Sequence, residues 1–531
     1  MRFLPVTPRA LLVELADLDR TLALFDALAA DPVDGIEDIV PAARTLMVRT
    51  APGVAADHRI AAAVAARARR HSVMERAAAA TPVEIPMTYD GADLAAVARH
   101  MGLSVAEVIA AHQAALWTVA FCGFAPGFAY MTCDDPRFDL PRRASPRTRI
   151  PAGAVALAAR FCGVYPRDTP GGWQLIGTTR LRMWDLARSP PALLRPGVSA
   201  RFVAGTARIH PGAAASAPTS VPAGLAILAT AFPILFQDDG RPGQTGQGVS
   251  ASGALDRGAL HRANRAVGNP AGAAALEITL GPVRLRADRP VTLALTGAAD
   301  RAVVVATGRP VPVTPGAAFA MDAGDELLIH PPRRGMRSYL ALRGGYAVAP
   351  VLGSAATDTL AGIGPKPLGT GDVLAPADRP ALAVAPPEPQ PPLPRPGELI
   401  ELPVTLGPRT DWFAPDIVAR FLAQEWRVTP QSSRVGIRLE GDAPINRTGT
   451  AELPSEATEA GAVQIPHSGQ PLLFLADHPL TGGYPVIATL LPEGLDRAGQ
   501  CPPGARIRFT AARPFTPIEA EYANHDPVHQ R

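Results

Sequence analysis

Apolar and polar positions change their period several times along this chain. Residues 10–15 are a short apolar run, and residues 18–30 repeat apolar positions at helical spacing until Asp31-Pro32 ends the pattern. Runs at 35–40 and 45–48 predict a strand pair. The alanine-rich stretch 57–71 predicts a helix with Asp57 as its N-cap, and residues 82–88 predict a closing strand. Residues 1–88 thus read β-α-β-β-α-β, the order of a ferredoxin-like unit. Two short helices are predicted within 92–113, the second opened by a Ser104–Glu107 capping box. From Trp117 to about residue 205 strand-like runs alternate with Gly/Pro turns, the pattern of a compact barrel.

The segment 211–221 is small, polar and uncharged, and predicts a linker between an 89–210 barrel and a strand-rich block over 222–515. Within that block, 384–397 is proline-rich and predicts a stiff extended bridge, 416–424 predicts a helix, and 516–531 reads as a loosely held tail. A faint repeat links the two halves. Gly153-Ala-Val155 is followed 18 residues on by Gly171-Gly172-Trp173, and Gly461-Ala-Val463 is followed 21 residues on by Gly482-Gly483-Tyr484. The repeat predicts two related barrels in tandem, with a cleft between them as the natural ligand site. The fold class is therefore mainly β with an α/β N-terminal part.

Composition narrows the function. A net charge of +3 from 51 basic and 48 acidic residues gives no nucleic-acid footprint. Lys366 is the only lysine and lies outside any Walker A spacing and any biotin-acceptor tetrapeptide. Four cysteines without metal spacing point to a reducing compartment. With no secretory leader pattern and no apolar run long enough to span a bilayer, the expectation is a cytoplasmic protein without membrane or nucleic-acid partners and without a metal site of its own. Self-association into a homo-oligomer stays open.

Chemistry-bearing residues cluster at few places. Arg142, Arg143 and Arg147 lie on a proline-locked loop suited to gripping carboxylate or phosphate oxygens, and Gly171, Gly172, Trp173 and Gln174 add amides and a flat ring. In the second half Gln237, Asp238 and Arg241 share one turn, and Glu277 lies on an apolar strand where a carboxylate needs a partner or a task. Gln464 and Gln470 lie near the second Gly482-Gly483-Tyr484 turn. His112, just before the first barrel, is a candidate acid/base residue, with Asp238 and Glu277 as candidates for proton or metal chemistry.

The stretches GFAPGFAYM, PRRASPRTRIPAGAV and PGGWQLIGTT resemble the KipI-type family, the B component of ATP-dependent 5-oxoprolinase. QDDGRPG, VLGSAATDTLAGIG, SSRVGIRLEG and GAVQIPHSGQPLLFLADHPLTGGYPVIATL resemble the KipA-type family, the C component. The same pair of modules is similar to the carboxyltransferase region of urea carboxylase (urea amidolyase, allophanate hydrolase components). The resemblance implies cyclophilin-like barrels and a separate A-type subunit. It further implies ATP, with Mg2+, for opening 5-oxo-L-proline to L-glutamate. Arg142, Arg143, Arg147 and Arg241 would then face phosphate. Two rival implications stand beside it: a carboxyltransferase using biotin carried on a partner chain, and a non-enzymatic histidine-kinase regulator. Relatives often carry a polar stretch after the aspartate where this chain reads Asp477-His-Pro-Leu-Thr481.

Overall fold

The computed structural model describes residues 1–70, 81–143, 145–205, 224–449 and 451–520. The expected 211–221 linker lies outside them, as does the end of the tail.

The N-terminal helix forms over Leu18–Ala30, where the Asp17 carboxylate accepts the Arg20 amide at 2.8 Å. The chain order around it differs from the ferredoxin-like expectation. A strand at Arg2–Thr7 precedes the Ala10–Glu14 strand, and the four-stranded antiparallel sheet runs Arg2–Thr7, Ala10–Glu14, Thr45–Thr50, Ile36–Pro41. The connectivity is β-β-α-β-β-α. Pro5 masks the first strand in the sequence, and that strand lies at the sheet edge, where a missing N–H is tolerated. Leu11, Val13, Leu46 and Val48 pack under the helices, while Leu4, Val6, Leu12 and Met47 on the opposite face pack against Ala457 and Leu480 of the far barrel. The tail begins docked: the Ile518 amide donates to the Phe3 carbonyl at 2.8 Å.

The predicted closing strand, Val83–Met87, leaves the N-terminal unit altogether. It opens the first barrel by pairing in parallel with Ser199–Ala204. In chain order the barrel strands are Val83–Met87, Trp117–Cys122, Ala129–Thr132, Ala154–Ala158, Phe161–Val164, Gln174–Thr178 and Ser199–Ala204. Around the sheet they run sixth, fourth, fifth, third, second, seventh, first, and a lone bridge between Thr88 and Thr178 brings the ends together.

The second barrel is closed. Its strands are Leu399–Leu406, Trp426–Val428, Gly436–Glu440, Ala462–Gln464, Leu472–Phe474, Val486–Leu490 and Arg506–Arg513, and they follow the same cyclic order. First and last strands are again the parallel pair. The Gly153 and Gly461 motifs open the fourth strand of each barrel, and the Gly-Gly turns lead into the sixth. The repeat seen in sequence is thus a duplicated topology. Both barrels also share a tryptophan lock, Trp117 Nε1 donating to the His112 carbonyl at 3.3 Å and Trp426 Nε1 to the Phe421 carbonyl at 3.0 Å.

Between the barrels, residues 224–374 form a sandwich of a six-stranded and a five-stranded sheet, with helix Arg257–Ala266 on the outer face of the latter. The proline-rich segment then runs along this sandwich without regular structure, tied by Arg265–Glu388 at 2.6 Å and by the Gly297 amide donating to Gln390 at 3.0 Å. No single described helix is long and apolar enough to cross a membrane.

Candidate functional site

The arginine loop folds onto a carboxylate. Arg143 donates to Asp93 at 2.5 Å, and Arg147 grips both its oxygens at 2.8 and 2.9 Å. The Leu175 amide adds a bond at 2.8 Å. Burial works to raise the Asp93 pKa, but Arg147, the amide and Arg143 outweigh it and hold the carboxylate below its ordinary range. The second barrel carries the same lock with charges exchanged. Arg147 lies opposite Gly171 in a two-strand ribbon, Glu456 lies opposite Gly482 in the equivalent ribbon, and Glu456 is held by Arg409 through Nε at 3.1 and 3.0 Å. Asp93 and Arg409 each occupy the N-cap position of the helix that follows the first barrel strand, with their side chains turned to the ion pair instead of the helix amides. An ion pair that survives charge exchange serves the barrel, so Arg143 and Arg147 are positioning groups rather than a free anion grip, contrary to expectation. Arg142 is exposed, with its charge beside Tyr130 and Tyr165.

The first glycine of each Gly-Gly turn is a steric need. A Cβ at Gly171 would meet the Tyr165 hydroxyl at 2.5 Å, and one at Gly482 would meet Gln464 Nε2 at 2.7 Å. Gly172 and Gly483 continue these turns. Trp173 packs on Phe128 and Tyr130, and Gln174 donates to the Pro141 carbonyl at 3.2 Å. Gln464 is tied to the Tyr484 carbonyl at 3.0 Å and Gln470 brackets the Gly441 peptide, while Tyr484 sits edge-on to His467 at the surface.

His112 is sealed inside the first barrel, 0% exposed, between Tyr89 Oη at 2.8 Å and Cys162 Sγ at 3.6 Å. It occupies the place of Phe421, packing tilted on Phe202 where Phe421 stacks on Phe509. Burial lowers its pKa to about 3, so the acid/base expectation is corrected: this imidazole is a neutral core side chain. Because the folded pKa lies below the unfolded one, stability is complete above pH 6.5 and is lost as pH falls toward 3. Between pH 7 and pH 4 the wild type should lose about 3 kcal/mol through this residue. His112→Phe should remove that slope in chemical denaturation at the two pH values.

Asp238 and Glu277 are likewise committed. Asp238 accepts from Ser354 Oγ at 2.6 Å and from the amides of Ala355 and Gly240 at 2.6 and 2.8 Å, which fixes a turn and leaves no open carboxylate for a metal. Glu277 accepts from Arg434 at 2.5 Å, Tyr339 Oη at 2.7 Å and the Leu255 amide at 3.2 Å. Arg434 also holds Asp477 through two bonds of 3.0 Å, and Asp477 in turn accepts from Ser252 Oγ at 2.6 Å and from the Thr359 amide at 2.8 Å. Gln237 donates to the Thr357 carbonyl at 2.8 Å, and Arg241 to the carbonyls of Val351 and Ala356.

These bonds close a tight seam where the two halves meet, with a void of about 10 Å³, room for about one water, lined by Phe124 and Pro126 from the first barrel, Ser250 and Asp358 from the sandwich, and His478 and Leu480 from the second barrel. Asp358 is 1% exposed and accepts the Ala361 amide at 2.7 Å. Burial and the neighbouring Asp477 push its pKa up to about 6, against the pull of the amide and of Arg241. His478 Nδ1 lies 2.9 Å from the Pro479 carbonyl, which assigns the proton to Nδ1 and leaves Nε2 as an acceptor. Burial lowers its pKa and keeps the ring neutral. A carboxyl group poised near neutrality that lines the same seam as a neutral imidazole can take up and return protons, the task for which the sequence nominates Asp238, Glu277 and His112. Among the described residues no group of three or more His, Cys, Asp or Glu side chains is placed to hold a metal.

Comparison with known proteins agrees with this layout. The family described as carboxyltransferase domain, subdomain C and D, matches residues 1–194, and carboxyltransferase domain, subdomain A and B, matches residues 247–511. The C component of Escherichia coli 5-oxoprolinase is 37% identical over 290 residues, 54% of this chain and 90% of that protein. The B component of Escherichia coli 5-oxoprolinase is 51% identical over 124 residues, which are 23% of this chain and 57% of that protein. The crystal structure of TTHA0988 superposes with a TM-score of 0.81 at 35% identity, covering 94% of this chain and 99% of the other. The chain belongs to the carboxyltransferase-domain family and joins counterparts of the B and C components of 5-oxoprolinase in one polypeptide.

Proposed function

We propose that this chain is the B–C component of an ATP-dependent 5-oxoprolinase, opening the lactam of 5-oxo-L-proline to L-glutamate together with a separate A-type subunit. The observation that carries the reading is that one polypeptide joins counterparts of the B and C components of 5-oxoprolinase, packed so that Asp358 and His478 line the seam between them. A lactam carbonyl is a poor electrophile, and phosphorylation of its oxygen is the chemistry ATP with Mg2+ would supply. The residues of this chain do not fit that group. Arg143 and Arg147 are held by Asp93, Arg241 donates to backbone carbonyls, and Lys366 is exposed on a Gly-Pro-Lys-Pro turn. Nucleotide is therefore assigned to the partner. This chain would contribute Asp358 as the base that takes a proton from the attacking water and returns it to the ring nitrogen as the C–N bond breaks, with Nε2 of His478 as a hydrogen-bond acceptor that orients the water.

Mixing the chain with an A-type subunit should give ADP release that depends on 5-oxoproline and on both proteins. The second reading, a carboxyltransferase, draws on the family's description, and with no biotin-acceptor lysine in this chain it requires biotin on another chain. It predicts retention by a biotinylated partner with no ADP release, and that outcome would replace the first reading.

A further inference from the structure

One end of the five-stranded sheet, where Val291, Met321 and Leu342 lie on neighbouring strands, carries a groove of about 390 Å³. Arg289, Arg343 and Arg379 line it with Asp322 and Asp378, and it shares no lining residue with the seam between the halves. Small-molecule sites span about 300–1,000 Å³, so the groove has room for an organic ligand and the seam has not. Arg343 is held so that one edge of its guanidinium stays open. Asn269, 6% exposed, brackets its turn by donating to the Leu342 carbonyl at 2.8 Å and accepting the Gly344 amide at 3.0 Å. Arg343 Nη1 donates to the carbonyls of Val267 and Leu382 at 2.7 and 2.9 Å. What remains is the Nε–Nη2 edge, through which Arg265 grips Glu388 and Arg284 grips Glu326 in this same chain. Among the described residues that edge of Arg343 has no partner. The exposed Arg379 side chain makes no hydrogen bond or ion pair among the described residues either, while its amide is fixed on the Gly344 carbonyl at 3.1 Å. Asp378 does not serve them, because Arg289 takes both its oxygens, at 3.0 and 3.4 Å. Two guanidinium groups thus face the groove's one remaining carboxylate, Asp322.

We propose that this groove binds an organic anion, its carboxylate or phosphate head on Arg343 and Arg379 and its apolar body along Val291, Met321 and Leu342. The planar Nε–Nη2 fork matches two oxygens of either head, and an edge already held in place loses little freedom when it binds. The surplus of positive charge favours an anion over a neutral molecule, and the apolar floor favours an organic body over a bare ion. The site goes beyond the proposed lactam chemistry and does not rest on it, since Asp358 and His478 take no part in it.

Isothermal titration calorimetry on the full chain tests this with benzoate, phenyl phosphate, neutral benzamide and inorganic phosphate. Benzoate, phenyl phosphate or both should bind, and benzamide should not; the head that binds more tightly identifies the ligand class. Arg343→Lys keeps the charge and a donor for the two carbonyls but loses the fork, and should weaken binding about tenfold or more. Arg379→Gln, which gives up no contact among the described residues, should weaken it about threefold and melt as the wild type does. If Arg343→Lys lowers the melting temperature, Arg379→Gln decides the matter alone. Equal binding of benzamide and benzoate overturns the proposal, as does unchanged affinity in Arg379→Gln. Inorganic phosphate binding as tightly as phenyl phosphate would remove the organic body from the site and overturn it too, and so would the failure of both organic anions to bind at millimolar concentration.

Discussion

Replacing Asp358 with asparagine is expected to lower turnover by about 100- to 10,000-fold, the usual range for loss of a positioned acid or base, while making the protein more stable. Asn keeps an oxygen for the Ala361 amide and gains an NH2 for Ser250, so the loop keeps its anchors. What disappears is a charge. In the fold Asp358 titrates at about 6 instead of 3.8, because it is buried and faces Asp477. The folded state therefore prefers the protonated form. Stability from this group is complete below pH 3.8 and is lost as pH rises through 6, leaving a penalty of about 3 kcal/mol at pH 8. The stability gap between Asp358→Asn and the wild type should be small at pH 4 and grow toward that value at pH 8. The wild-type kcat/KM should rise with an inflection near 6 as the base ionises, and the residual activity of the variant should lack it. A variant that loses stability along with activity would make Asp358 a structural residue. One that keeps full activity would move the chemistry elsewhere.

Elements decided by neighbours in sequence are legible, and elements decided across the chain are not. The 18–30 helix and the Ser104–Glu107 capping box depend on residues a few positions apart, the Gly-Gly repeat on motifs 18 and 21 residues apart, and each is where the pattern puts it. The strand at Val83–Met87 is recognisable, but its partner, Ser199–Ala204, lies far along the chain and assigns it to a different unit. The arginine loop misleads for the same reason. A run of guanidinium groups is free only if no carboxylate reaches it, and Asp93 sits 54 residues before Arg147. His112 does carry a usable signal. It precedes Trp117 by five residues, as Phe421 precedes Trp426, and that spacing marks a core position. Asp358 and His478 have no such mark. They lie inside distinctive stretches, VLGSAATDTLAGIG and LADHPLTGGYP, but their chemistry comes from burial at a seam between barrels that only folding creates.

The network beneath that seam sets the second large effect. Arg434→Met should destabilise the protein by about 3–5 kcal/mol, the range for removing one partner of a buried ion pair. The Arg434 side chain is 6% exposed and those of its two partners, Glu277 and Asp477, are 0% exposed. Arg337 remains 3.7 Å from Glu277 after the change, so Asp477 is the charge left without a counter-ion. Burial tends to raise the pKa of Asp477, and Arg434 at present outweighs it. Without Arg434 the folded pKa should climb above the unfolded value, so the loss should be greatest at neutral pH and shrink on acidification. Adding Asp477→Asn to Arg434→Met should recover much of the stability at pH 7, since the amide oxygen can still accept from the Thr359 amide and hydroxyl while its NH2 donates to Ser252 Oγ. Differential scanning fluorimetry across pH separates the outcomes. A pH-independent loss of the same size would assign the effect to packing around the long side chain, and no loss would mean that water reaches the triad. The consequence for the site runs through Thr359, which adjoins Asp358 and hangs from Asp477 by its amide and its hydroxyl. Activity should therefore fall even in the rescued double variant if the placement of Asp358 depends on the charge of Asp477, and should return with stability if it depends only on the hydrogen bonds.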